Sequence, residues 1–428
     1  MPSLQSALEE IQRYDYPEEE PKIAFDLGNT AGPNKNYLAH LINVCADHSP
    51  IAKQILESAL KEGYKLSMES MRDCAGITCS EDKIIQLNSC CDEGTLLATL
   101  IHECRHAEQN SKLPACDEMG HFDIPSEIMA ERSMEADANA ISLAACHEIA
   151  ISSGDKSAMH SFIENDPEIY YGYMNKVSSF KDGPTSEAIQ GAFLGWYTNG
   201  MMVDIYEDSY LRSRMNNSMR DSDFEKFPYN KHLTSEQIVT AFCTDGKGNC
   251  YWENDKDILS DRELLAVHGE SMSVMNKFFK KREEKTGIAP DPEYKDLKVC
   301  DECEGPFSQL SRIFKKDYFK NFVRDSKNPI GLKSDTTSIE ERRLNHMVNE
   351  LCADKENEKT LQSLKKSGYT VCFEPMNRNA SALDHRRKKL VLNLNADDQT
   401  LQTSLIKETK NIQAYQAQTL LKTAGRSM

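Results

Sequence analysis

The feature that most constrains the fold is an internal repeat, because two copies of one segment are expected to form the same elements. Three blocks recur in the same order near the start of the chain and near its end. The paired blocks are Val44–Glu69 with Leu351–Glu374, Ile84–Asn88 with Leu390–Asn395, and Thr95–His106 with Thr400–Asn411. Each copy is typical of a helix, two short strands and a second helix. We therefore predict a duplicated α+β unit of about 70 residues.

The length of the chain, 428 residues, favours two or three domains. Residues 1–215 are predicted to form an α+β domain with a small mixed sheet, and residues 336–428 to repeat its scaffold. Residues 216–335 are predicted to be a helical middle region. A strong helix is expected at Thr185–Met215, and the aromatic residues of this central part are interpreted as core.

The charge balance limits the classes of partner. The chain has 51 Lys and Arg against 68 Asp and Glu, which gives a net charge of −17 and disfavours nucleic acids and anionic membranes. The start of the chain lacks the pattern of a signal peptide, and no run reaches the ~18 apolar residues of a membrane span. The 14 cysteines are scattered through the chain, which favours free thiols. We therefore expect a cytoplasmic protein, with specialised secretion left open.

The segment Leu100–His106 reads LIHECRH, and it lies in a predicted helix that has Asp92 as its N-cap. His102 and His106 are four residues apart, so both imidazoles lie on one helix face and reach the same metal ion. Glu103 lies about 100° further round the helix, beside the metal position rather than within it. That position suits a glutamate that accepts a proton from water.

The second copy differs at these positions. It has Lys407, Glu408 and Asn411 in place of the two histidines and the glutamate between them. Both imidazoles are therefore absent, while the glutamate is kept. Lysine is a poor zinc ligand because it must lose its proton to bind. The second copy is predicted to be degenerate and without a metal.

A third metal ligand is expected on another helix, because catalytic zinc usually has three protein ligands. The next predicted helix has Ser126 as its N-cap and is rich in alanine, which allows another helix to approach closely. We assign Glu135 as the third ligand, with Glu131 and Asp137 as alternatives. Asn139 lies one turn after Glu135 and is expected to orient a ligating histidine.

The combined pattern resembles the zincin metallopeptidases of the gluzincin type. The similarity is to compact bacterial metallopeptidase domains, including phage-immunity and radiation-response regulator peptidases and the catalytic part of heat-shock membrane endopeptidases. It covers roughly Val44–Ile149. The residues that carry it are His102-Glu103-Cys104-Arg105-His106 and Glu135-Ala136-Asp137-Ala138-Asn139.

The resemblance implies zinc-dependent hydrolysis of peptide bonds in a protein or peptide substrate. Zn²⁺ would be held by His102, His106 and Glu135, and Glu103 would be the general base. The resemblance also implies a zincin-like fold in which the strand Ile84–Leu87 is the edge that binds substrate. Two other functions stay open, namely a non-catalytic binding or regulatory module on a peptidase scaffold, and an exported bacterial effector that cleaves a host protein.

Two features depart from the family pattern. Arg105 places a positive charge between the histidines, where it is expected either to weaken metal binding or to pair with Glu108 or Glu131. In addition, no single residue is identified as the group that stabilises the oxyanion. The candidates for that role are His121, His147, Tyr170, Tyr171 and Tyr173.

Overall fold

The computed structural model describes residues 16–112, 120–300 and 330–424 with short gaps. The gaps are residues 29, 31, 73, 178, 226, 290–291, 335–343, 346, 349–350, 375–379, 394–395 and 397. The described residues form an α+β fold of helices and small sheets, as predicted. The chain divides into two compact units, Met1–Phe314 and Lys315–Met428. None of the described helices is long and apolar enough to cross a membrane.

The first unit consists of helices packed around a small sheet. In chain order its elements are α1 (Pro33–His48), α2 (Pro50–Lys61), β1 (Lys65–Glu69), β2 (Gly76–Cys79), β3 (Ile84–Asn88), α3 (Glu93–Lys112), α4 (Ile124–Ser153), α5 (Ser157–Asn165), α6 (Pro167–Met174), α7 (Ser186–Thr198), α8 (Gly200–Glu207), α9 (Arg214–Asp221), α10 (Ser235–Phe242), β4 (Val267–His268), α11 (Gly269–Thr286) and β5 (Val299–Cys300). Proline opens α1, α2 and α6, a position where its missing N–H has no helical partner to lose.

The first sheet has the strand order β1-β3-β2. The central strand β3 pairs in parallel with β1 and antiparallel with β2, so its backbone is used on both sides. The interpretation of Ile84–Leu87 as the substrate-binding edge is therefore wrong. The edge strands are β1 and β2, and in β2 Ile77 is 49% exposed. An exposed strand edge carries unpaired backbone groups that accept an added peptide strand.

The helices α3 and α4 pack closely, and both begin with an aspartate cap. Asp92 accepts a hydrogen bond from the Thr95 backbone nitrogen (3.0 Å) at the start of α3, as predicted. Asp123 accepts one from the Ser126 backbone nitrogen (2.9 Å), so the N-cap of α4 is Asp123 and the prediction of Ser126 is wrong. Between the helices, the Ser142 hydroxyl donates to the Ala98 carbonyl oxygen at 2.6 Å. The alanines that allow this approach are buried, namely Ala136, Ala138, Ala140, Ala144 and Ala145.

The predicted helix at Thr185–Met215 is interrupted. Asn199 ends α7, and its side chain accepts a hydrogen bond from the Met202 backbone nitrogen (3.1 Å), which starts α8. A π-helical segment, Asp208–Ser213, then joins α8 to α9. The asparagine breaks the helix because its side chain caps the next one more readily than it continues the first.

The predicted boundary between residues 215 and 216 lies inside the first unit. One apolar cluster contains Ile128 of α4, Met215 and Met219 of α9, and Phe278 of α11. Because these side chains share a core, the described middle residues belong with the sheet and its helices rather than to a separate domain.

The described residues of the second unit include a four-stranded sheet and two helices. Its elements are β6 (Lys333–Ser334), α12 (Lys355–Ser367), β7 (Thr370–Glu374), β8 (Ser381–Asp384), β9 (Lys389–Asn393) and α13 (Asp398–Ala424), with the strand order β6-β7-β9-β8. Here β7 pairs in parallel with β9, and β8 pairs antiparallel with β9.

The strand pairings of the two units correspond residue by residue. The pair Lys65 and Ile84 recurs 305 positions later as Thr370 and Lys389. The residues before β3 and β9, Lys83 and Lys388, both have a φ of 53°. The left-handed conformation is uncommon for lysine, so its presence at both positions indicates the same turn geometry in both units.

Candidate active site

Three side chains converge between α3 and α4, as the sequence predicted. His102 and His106 extend from successive turns of α3, and their Nε2 atoms lie 2.9 Å apart. Glu135 of α4 places Oε1 3.4 Å from His106 Nε2 and Oε2 3.6 Å from His102 Nε2. The three potential ligand atoms all lie within 4.8 Å of one another. This separation is suitable for a shared metal ion.

Burial and charge together set the protonation of this cluster. Burial lowers the pKa of His102 to about 4, and the nearby His106 contributes to that shift. Burial opposes ionisation of Glu135, but the two histidines outweigh it and lower the pKa to about 2. Burial also opposes the charge of His106, yet Glu135 raises its pKa to about 9. These shifts favour an ionised Glu135 and a protonated His106. A metal ion that binds here would have to displace the proton of His106.

Glu103 lies beside this cluster and is held by the edge strand β2. The Thr78 hydroxyl donates a hydrogen bond to Glu103 Oε2 at 2.7 Å. A Cβ atom on Gly76 would lie 2.9 Å from Glu103 Cγ and 2.5 Å from Thr99 Cγ2, so β2 approaches α3 as closely as a glycine permits. Burial raises the pKa of Glu103. The carboxylate is thus fixed next to the two histidines without joining them as a third ligand.

Two cavities open onto these residues. They have volumes of about 590 Å³ and about 370 Å³, within the usual range for ligand sites. Gly76, His102, Glu103 and Tyr206 line both cavities, whereas His106 and Glu135 line only the smaller one. Ile77 and Thr78, the next residues of β2, line the smaller cavity, so this strand runs past the cluster.

This region matches one known protein family. Residues 23–252 match the family described as "Putative metallopeptidase family (DUF6782)", which is more than half of the chain. The chain belongs to this metallopeptidase family. No curated protein and no solved structure matches the chain. Membership supports a metal-dependent peptidase that acts on protein or peptide substrates.

A glutamine on the same helix contacts one of the two histidines. Gln109 Oε1 lies 2.9 Å from His106 Nδ1, and its Nε2 donates to Asp137 Oδ2 at 2.7 Å. Because that amide nitrogen already donates, the oxygen is the atom that accepts from His106. Asn139, which was expected to orient a histidine, instead donates to the Glu135 carbonyl oxygen at 2.9 Å and lines the larger cavity. Gln109 was not predicted from the sequence, although it lies three residues after His106 on the same helix face.

The Arg105 side chain does not point toward the cluster of His102, His106 and Glu135. Its guanidinium is buried and donates to both carboxylate oxygens of Asp137 (2.7 and 3.2 Å) and to Glu108 (2.6 Å). It also donates to the carbonyl oxygens of Phe242 and Thr244, at 2.5 and 2.8 Å. Arg105 therefore pairs with Glu108, which is one of the outcomes expected from the sequence. Glu108 and Asp137 balance its positive charge, and the guanidinium does not bond the histidines.

The two alternative ligands are engaged elsewhere. Asp137 accepts hydrogen bonds from Arg105, Gln109 and the Tyr251 hydroxyl, the last at 2.8 Å. Glu131 lies 3.4 Å from an Arg214 nitrogen. Of the three carboxylates that the sequence left open, only Glu135 is in the described cluster with both histidines.

Tyr206 is the functional candidate that the sequence analysis did not identify. It lines both cavities, and the charge of the nearby Glu135 together with burial raises its pKa well above the ordinary value. The five residues predicted for the oxyanion role line neither cavity. His147, for example, lies in the core, 2.9 Å from the Tyr173 hydroxyl. No sequence pattern marks Tyr206, which was interpreted as a core aromatic residue.

Proposed function

We propose that this chain is a zinc-dependent peptidase that hydrolyses peptide bonds of a protein or peptide substrate. The observation that carries the proposal is the convergence of His102, His106 and Glu135, with Glu103 beside them and two cavities opening onto the cluster. Membership of a metallopeptidase family supports the same reaction class.

The donor atoms at the cluster fit a zinc ion. Imidazole nitrogen and carboxylate oxygen are both zinc ligands, and three protein ligands leave one coordination position for catalysis. Glu135 Oε2 is buried and has no hydrogen-bond partner among the described residues, a state that a cation beside it would satisfy. Gln109 supplies the acceptor that fixes the orientation of His106. When bound, zinc would polarise the scissile carbonyl group and lower the pKa of a water molecule to about 7.

Glu103 is proposed as the general base. It accepts a proton from the attacking water and then transfers that proton to the nitrogen of the leaving amine. The Thr78 hydroxyl holds one of its carboxylate oxygens, so the side chain stays in one orientation throughout. The backbone edge of β2 is proposed to bind the substrate as an added strand.

Tyr206 is proposed to stabilise the negative charge that develops on the carbonyl oxygen. Tyr206 lines both cavities, and a phenol donor held there before the reaction needs no reorganisation. The neighbouring Glu135 acts on its pKa, which supports a position beside the cluster.

We infer that the second unit is a copy of the first that has lost its metal site. Lys407 and Asn411 stand where the first unit has its two histidines. Glu408 remains, but Ser381 donates to one of its oxygens at 3.0 Å and Asn411 to the other at 2.9 Å. Ser381 itself stands at the position of Gly76. With both oxygens engaged, Glu408 is proposed to be structural, and the unit to position a protein substrate.

The test combines metal content with hydrolysis. Elemental mass spectrometry of the purified protein is expected to find about one zinc per chain, without added metal. Glu103→Gln is expected to keep the zinc and to lower hydrolysis of an unfolded protein substrate by about 10²–10⁴-fold. Glu135→Ala is expected to lose both zinc and hydrolysis.

The matched control is Glu408→Gln in the second unit, which should change neither the zinc content nor the rate of hydrolysis. A wild-type protein without zinc would contradict the proposal. So would a Glu103→Gln variant that hydrolyses substrate as fast as the wild type, and the non-catalytic binding module would then be the better description.

A further inference from the structure

The larger cavity beside His102 has walls suited to a long side chain with a charged end. Ala98, Phe162 and Met202 contribute apolar surface next to the proposed reaction centre. Besides Glu103, three carboxylates line the same cavity, namely Asp92, Glu164 and Asp166. No lysine or arginine lines it among the described residues, and His102 is the one basic side chain there. Acidic side chains therefore outnumber basic ones on the walls of the cavity.

Asp166 is the carboxylate that distinguishes this cavity from an ordinary acidic surface. It is the N-cap residue of α6, but its side chain does not accept the capping hydrogen bond that aspartate usually takes there. Within the described part of the chain it has no hydrogen bond or ion pair to its side chain. By contrast, both oxygens of Asp92 accept hydrogen bonds from Thr95, at 3.0 and 2.7 Å. The Asp166 carboxylate is thus left for a group that enters the cavity.

The environment of Asp166 makes its negative charge costly in the absence of a cation. Burial raises its pKa to about 6, and the nearby Glu168 adds to the shift. Asp166 is also close enough to the reaction centre to act on Tyr206, whose pKa is raised mainly by Glu135 and burial and to a smaller degree by Asp166. An unpaired, partly buried carboxylate gains most from a charge-assisted hydrogen bond with an incoming donor.

We propose that the cavity is a subsite for a lysine or arginine side chain adjacent to the bond that is hydrolysed. This proposal rests on the proposed peptidase function. The methylene stem packs against Ala98, Phe162 and Met202, and the cationic end pairs with Asp166. The net charge of −17 also attracts basic peptides to the protein. The substrate class is therefore a protein or peptide with a basic residue at the cleavage site.

The experiment measures binding and hydrolysis separately. Capped alanine peptides that contain a single lysine, arginine, glutamine or methionine are titrated into the full-length Glu103→Gln protein by calorimetry. The lysine and arginine peptides are expected to bind about tenfold tighter than the two neutral ones. Adding Asp166→Asn is expected to abolish that preference. Adding Glu168→Gln, which removes a neighbouring carboxylate outside the cavity lining, is expected to keep it.

The same peptides are then incubated with the wild-type protein, and the cleavage products are mapped by mass spectrometry. Equal binding of basic and neutral peptides would overturn the subsite, as would a preference that survives Asp166→Asn. Glu103-dependent cleavage without any basic preference would leave the peptidase function standing and reject the subsite. A preference in binding without cleavage would support the cationic subsite and reject the peptidase function. Equal melting temperatures of the variants show that they are folded.

Discussion

Gly76 lies at the start of the edge strand β2, and its missing side chain gives Glu103 the space it occupies. A Cβ at this position would overlap the Thr99 methyl group at 2.5 Å and approach Glu103 Cγ at 2.9 Å. The equivalent residue in the second unit is Ser381, whose hydroxyl bonds Glu408. The second unit therefore has neither the glycine nor the two imidazoles at these positions, which supports the proposal that it does not bind a metal ion.

Gly76→Ala is expected to lower hydrolysis by about tenfold or more while the zinc content stays near one per chain. The added methyl group must displace Thr99 or Glu103, and overpacking of this kind costs about 1–3 kcal/mol. Rates with a peptide substrate and elemental analysis measure the two quantities. Gly269→Ala is the control, since a Cβ there would have its nearest neighbour at 3.8 Å. Unchanged hydrolysis in Gly76→Ala would show that Glu103 needs no such space.

Gln109 and Asn139 offer a direct comparison of two positioning residues. Gln109→Ala removes the acceptor beside His106 Nδ1 and is expected to weaken zinc binding by about 10–100-fold. Asn139→Ala removes a bond to a backbone carbonyl oxygen and is expected to leave zinc binding unchanged. Competition with a chelating dye measures both affinities. If Asn139→Ala weakened zinc binding more than Gln109→Ala did, Asn139 would be the residue that orients a histidine, as expected from the sequence.

Tyr206→Phe is expected to lower kcat by about 10²–10³-fold with little change in zinc content, because it removes one donor from the proposed oxyanion site. Steady-state kinetics with one peptide, together with metal analysis, separate a catalytic effect from a loss of metal. Tyr170→Phe is the control, since Tyr170 was a candidate from sequence and lines neither cavity. If Tyr206→Phe loses zinc instead, its role is to hold Glu135 rather than to contact substrate.

At the scale of elements, α3, α4 and the segment after α10 are joined by the buried guanidinium of Arg105. Its partners are the Asp137 and Glu108 carboxylates and the Phe242 and Thr244 carbonyl oxygens. The planar guanidinium group has five N–H donors, so it can bond several acceptors at once. The ammonium group of a lysine could not reach all of them. The same network keeps Asp137 away from the histidines, so a structural contact decides which carboxylate stays available to a metal.

Arg105→Met is expected to lower the free energy of unfolding by about 3–5 kcal/mol, because it leaves Asp137 buried without its charged partner. Chemical denaturation measures the change. Arg105→Lys is expected to recover only part of the loss, since lysine cannot reach all the acceptors at once. Lys112→Met removes a partly exposed partner of Glu108 and should cost less than about 1 kcal/mol. A small effect of Arg105→Met would contradict the assigned role.

At the scale of the whole molecule, the metal cluster, both cavities and the family match lie within the first compact unit. The second unit repeats the strand order and register of the first sheet without its histidines. We therefore propose that peptide hydrolysis needs only the first unit, and that selection of a protein substrate needs both units.

A chain that ends at Phe314 is expected to bind about one zinc and to cleave short peptides at the wild-type rate, but to cleave a folded protein substrate more slowly. Short peptides need only the proposed cavities and the β2 edge, whereas a protein also needs the surface of the second unit. Parallel assays on a short peptide and a protein substrate measure this difference. Equal rates on both substrates would show that the second unit takes no part in substrate positioning.

Features that depend on local spacing could be predicted from the amino-acid sequence. The four-residue separation places His102 and His106 on one helix face, and the alternation of helix and strand signals predicted the α+β unit and its repeat. It also restricted the third ligand to three carboxylates on one following helix. Such features can be predicted from the sequence because periodicity acts over a few residues and leaves a visible pattern.

Features that depend on contacts between distant parts of the chain became visible in the folded structure alone. Strand pairing made β2 an edge strand, although β3 precedes the helix in sequence. Ion pairs with Arg105 and Arg214 engaged two of the three carboxylates, which left Glu135 with the histidines. Tyr206 reaches Glu135 from a helix that follows it by 71 positions. Contacts between residues so far apart have no fixed spacing, so no local pattern in the sequence could have identified them.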